Sequence, residues 1–93
     1  MDPNQSNADA VEKQKQFFER ARRGVLQHLQ DTGGKLNMSE LHDFSMKKFL
    51  IQHQRFSLMM EGFVSEGLVE FDWATQDVTI TDAGRQFLSK PPA

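Results

Sequence analysis

Between Glu66 and Leu88 the chain spells out a helix stop, two short apolar segments and a new helix start. Few small folds accommodate that order. Gly67 suits the left-handed position that ends a helix. Leu68, Phe71, Val78 and Ile80 can fill one β-ribbon on either side of a loop at Trp73–Asp77. Thr81 can cap the next helix through its hydroxyl, and Asp82 in the first turn suits the helix dipole.

The chain of 93 residues has the size of one domain. Its hydrophobic residues make up 38%, and adding the 6 glycines brings the apolar share to about 44%, near the globular norm. A small core follows, with 8 phenylalanines as its main bulk. The chain has no cysteine, which excludes a disulfide framework and a thiolate metal site. No apolar run is long enough to span a bilayer, and the polar N-terminus has no signal-like apolar region. The expected location is therefore cytoplasmic. A net charge of −2 argues against clamping nucleic acid by bulk charge, but a local patch remains open.

Residues 1–8 and 90–93 read as disordered tails flanking one domain at 9–89, because both are poor in apolar groups. Asp9 can cap a first helix running to about Gln30. Val11, Phe18, Val25 and Leu29 share one stripe of it, with Ala21 and Leu26 on the flanks and Phe17 well outside. Asp31-Thr32-Gly33-Gly34 is a strong break. Leu36 then suits a very short strand. Asn37 can cap a second helix, with Glu40 placed as a capping-box partner. Ser45 reads as the cap of a third helix over about 46–66. Phe49, Phe56 and Phe63, seven residues apart, mark its buried stripe, and Lys47, Ile51, Gln54, Arg55, Leu58 and Gly62 its outer face.

The ribbon with Thr81-Asp82-Ala83-Gly84-Arg85 after it resembles the wing of the winged helix-turn-helix family, in particular MarR-like and PadR-like regulators. Leu36, the cap Asn37 and the pair Glu40-Leu41 resemble the start of that family's second helix. The likeness covers about Gly33 to Leu88. It implies an α+β fold, mostly helical, with a small antiparallel β-ribbon wing and a third helix that reads DNA. Two departures stand out. The interval from Glu40-Leu41 to Glu66-Gly67-Leu68 is about one helical turn longer than the resemblance implies. The turn expected at Phe44-Ser45-Met46 has no glycine.

Two functions compete for the third helix. From Phe44 to Met60 there is no acidic residue, while Lys47, Lys48, His53 and Arg55 are interleaved with Gln52, Gln54 and Ser57. Arginine offers a bidentate edge to guanine and glutamine one to adenine. Lys47 and Lys48 suit phosphate contacts, and Ile51 a thymine methyl. Thr75 and Gln76 at the wing tip can donate neutral hydrogen bonds, although Asp72 and Asp77 there repel phosphate. Trp73 reads as a lid over the sheet. Double-stranded DNA is thus the expected partner and transcriptional regulation the expected role.

The alternative is a protein-interaction module in a larger complex. Ile51 and Leu58, one heptad apart on the outer face, together with Phe17, would form its partner or dimer surface. MarR-like proteins pair through a long helix after the wing. None follows before Ala93, so a homodimer would use the first helix.

Catalysis has little support. His28, His42 and His53 lack metal-ligand spacing, and no nucleophile stands beside a recognisable base. His53 falls near the buried stripe, the place of a structural histidine. The expectation is a non-enzyme with no cofactor and no metal.

Overall fold

A computed structural model describes the backbone of residues 3–90 and the side chains of residues 10–90. Its elements run α1 (Pro3–Asp31), β1 (Lys35–Asn37), α2 (Met38–Phe49), α3 (His53–Ser65), β2 (Val69–Asp72), β3 (Asp77–Ile80) and α4 (Asp82–Ser89). The fold is mostly helical with a small antiparallel sheet, as the sequence indicates. Helix α1 starts at Pro3 rather than behind a cap at Asp9. The tail positions 1–2 and 91–93 lie outside the described residues. No described helix is long and apolar enough to cross a membrane.

The sheet has three strands in the order β1-β3-β2, all antiparallel, so the expected two-stranded ribbon gains Leu36 as a partner of Val78. Alternation does the sorting. Val78 and Ile80 turn inward, and Val69 faces Ile80 across the ladder. The hairpin closes at Trp73–Gln76. There the Asp72 carboxylate accepts the Ala74 amide at 2.8 Å, and Gln76 takes a left-handed φ of 65°. The hairpin tip is tied to the start of α2 by the Met38 amide, which donates to the Gln76 carbonyl at 2.8 Å.

Two of the expected caps form, at Asn37 and Thr81. Asn37 Oδ1 accepts the Ser39 amide at 2.9 Å, and Thr81 Oγ1 accepts that of Gly84 at 3.1 Å. Gly67 is left-handed at φ 73°, ending the turn after α3. Helix α2 lies along α1: His28 stacks on Phe44 with ring centroids 3.7 Å apart, and the Phe49 ring fills the space a side chain on Gly24 would need. Helix α4 closes the other flank. Arg23 lies over the Phe87 ring and donates to the Leu88 carbonyl at 2.8 Å.

The core joins Val25, Leu29, Leu41, Phe56, Phe63, Leu68 and Ile80, with Phe18, Phe49 and Phe87 half-buried against it. Ile51, Met59 and Met60 belong to it as well. Val11 does not: the α1 stripe continues outward past Phe18, and Val11 is exposed.

Candidate nucleic-acid interface

The boundary between α2 and α3 departs from the sequence reading and changes the site. Ser45 caps nothing. It is fully buried inside α2, where its hydroxyl donates back to the His42 carbonyl at 2.8 Å. Helix α2 runs on to Phe49 and ends in a left-handed cap at Leu50, φ 57°. The Leu50 amide donates to the Met46 carbonyl at 2.9 Å, closing the last turn. Helix α3 starts only at His53.

Lys47 and Lys48 therefore sit in the last turn of α2, where cations suit the helix dipole, and not at the start of α3. Lys47 is paired with Asp43 at 3.0 Å. Lys48 makes no ion pair among the described residues. Ile51 is only 2% exposed, so it is a core residue of the turn and offers no methyl contact or partner surface. Phe17 is 42% exposed and lines a shallow groove with Leu50, Ile51, Gln52 and Arg55.

What α3 presents is its own first turn. Gln52, His53, Gln54 and Arg55 are all exposed. The N-cap residue Gln52 makes no side-chain cap hydrogen bond, and the first helical bond is Phe56 N–H to the Gln52 carbonyl at 2.9 Å. The amides of His53, Gln54 and Arg55 thus have no helical acceptor, which is the arrangement that holds an anion at a helix start. Leu58, 62% exposed, continues the outer face one turn after Gln54.

His53 is exposed as well, not a core histidine. Its ring meets that of His42 edge-on at 5.4 Å. The buried Nε2 of His42 has no hydrogen-bond partner. No third ligand-type side chain joins the two histidines among the described residues.

At the hairpin tip, Thr75 and Gln76 make hydrogen bonds within their own turn and to Asn37. Gln76 donates its side-chain amide to the Trp73 carbonyl at 3.0 Å, within its own turn. The Thr75 hydroxyl accepts the Asp77 amide at 3.3 Å, and the Thr75 carbonyl accepts Asn37 Nδ2 at 3.4 Å. Both residues stand at the N-terminal end of α2, about 13–17 Å along that helix from Lys47 and Lys48. Trp73 is no lid: it is 81% exposed, with only an edge-on contact to Phe71 at 4.7 Å.

The succession helix, strand, helix, helix, strand, strand, closing in an antiparallel hairpin, is compatible with a winged helix. Compared with protein-family models, curated proteins and solved structures, the chain matches none.

Proposed function

We propose that this chain is a winged-helix DNA-binding protein of the MarR-like or PadR-like kind, acting in transcriptional regulation, with the start of α3 entering the major groove. One observation carries the reading. The uncapped first turn of α3 exposes free amides together with Gln54 and Arg55, and no carboxylate lies between Phe44 and Met60. Lys48, at the end of α2, adds a cation with no ion pair among the described residues. The amides and Lys48 would hold phosphate, while Gln54 and Arg55 would read base edges.

A salt titration on random duplex tests this. A chain neutralising about three phosphates gives a log–log slope near −3. Absence of binding at low salt, or a Lys47, Lys48 and Arg55 triple-alanine variant that binds like the parent, rejects it.

A protein-partner reading draws on a different observation. Leu50 is 82% exposed, Trp73 protrudes from the wing, and Phe17 stands beside Leu50. The first partner to test is a second copy pairing along α1. A chain that sediments as a monomer at high micromolar concentration rules that pairing out.

A further inference from the structure

The outermost line of α3 runs Gln54, Leu58, Glu61, Ser65, opposite the buried Phe56, Met59, Met60 and Phe63. Leu58 is the one apolar residue on it. A single exposed leucine is ordinary, but the residue one turn further on is not. Gly62 lies mid-helix without a left-handed φ, and a Cβ there would meet only Glu66 Oε2, at an ordinary 3.7 Å. A helical glycine destabilises relative to alanine, and no neighbour among the described residues requires it. The surface therefore has an apolar knob beside a hollow that the protein's own packing does not explain.

Major-groove chemistry accounts for both. The thymine 5-methyl is the apolar group among the base edges displayed there. A leucine on a reading helix gains affinity by covering it, and a missing side chain one turn away lets the nucleic acid come close, the Glu66 carboxylate beside it being neutralised by its pair with Arg22. Gln54, one turn earlier on the same line, has the amide edge that suits adenine. The sequence pointed to Ile51 for the methyl contact, but Ile51 is in the core.

Resting on the DNA reading above, we propose that Leu58 is a specificity-determining residue that covers a thymine 5-methyl group in the major groove, with Gly62 leaving room for the strand. The test starts from a duplex selected from a random pool by the parent protein. Its thymines are replaced one at a time by deoxyuridine, which removes only the methyl. At one position or more the parent should bind about fourfold more weakly, the factor that burial of one such carbon supplies. Leu58→Ala should melt like the parent, show that same loss on the thymine duplex, and no longer distinguish uracil from thymine. Gly62→Ala should melt higher yet bind both duplexes more weakly. A parent indifferent to uracil everywhere, or a Leu58→Ala variant that keeps the parent's preference, overturns the assignment while DNA binding stands. A parent that selects no duplex removes the DNA reading itself, and this inference with it.

Discussion

The carbonyl oxygen of Leu68 occupies the space that a Cβ on Gly84 would need. Leu68 stands at the foot of the hairpin and Gly84 in the first turn of α4, so this contact sets how closely α4 seats on the hairpin. The same carbonyl accepts the Thr81 amide at 3.0 Å, which fixes it in place. Ile80 closes the other side of Gly84. Gly84→Ala should therefore destabilise by about 1–3 kcal/mol, as overpacking does. In a domain of this size that lowers the melting temperature by at least several degrees. An unchanged melt would show that α4 is free to slide.

Leu50 offers the opposite case. A side chain in the left-handed region costs about 1–2 kcal/mol, and this one is mostly exposed, so it regains little by burial. Leu50→Gly removes the strain and incurs about 0.5–1 kcal/mol of backbone entropy. The expected net effect is a gain of up to about 1 kcal/mol, read as a higher melting temperature. A lower one would mean that Leu50 holds the turn together through its side chain.

Phe63 and Phe17 separate core from surface. Phe63 is fully buried, with the Arg22 guanidinium 5.5 Å from its ring centroid and Arg22 itself paired to Glu66. Phe63→Ala should cost about 3–5 kcal/mol. Phe17→Ala, at a half-exposed position, should stay within about 1 kcal/mol of the parent in chemical denaturation. Comparable losses for the two would mean that Phe17 is covered in solution, as pairing through α1 requires.

Much of the architecture was legible because its signals are local. Asn37 and Thr81 announce their helices by hydroxyl or amide capping, Gly67 announces a left-handed turn, and β2 and β3 alternate cleanly. The α2–α3 junction had no such signal. The left-handed position that glycine usually marks is filled by Leu50, and Ser45, which looks like a cap, spends its hydroxyl inside α2. The regular spacing of Phe49, Phe56 and Phe63 then mimics one continuous helix. Phe49 actually faces Gly24 from the end of α2, while Phe56 and Phe63 face the core from α3. The shift moved Lys47 and Lys48 off α3 and Ile51 into the core. Gln54, Arg55 and Leu58 kept their outward places because they lie beyond the break. Trp73 leaves its expected lid position for another reason: it belongs to the hairpin turn beyond β2 and is mostly exposed, which alternation along a strand does not reveal.

The new boundary gives the two lysines different expected roles in DNA binding. Lys47 is held by Asp43 one turn earlier, an exposed pair that salt screens and that contributes little to stability. Lys48 has no such partner among the described residues, so its charge is the more available to phosphate. Lys48→Ala should flatten the log–log salt slope by about one unit. Lys47→Ala should flatten it less, because Lys47 is already engaged by Asp43 and has less charge to offer a phosphate. Asp43→Asn frees Lys47. It should tighten low-salt binding and steepen the slope, with little change in the melt. A slope that responds equally to Lys47→Ala and Lys48→Ala, and not at all to Asp43→Asn, would show that the Asp43–Lys47 pair does not govern access to phosphate. A slope that responds to none of the three would exclude the end of α2 from the interface and leave phosphate binding to the amides at the start of α3.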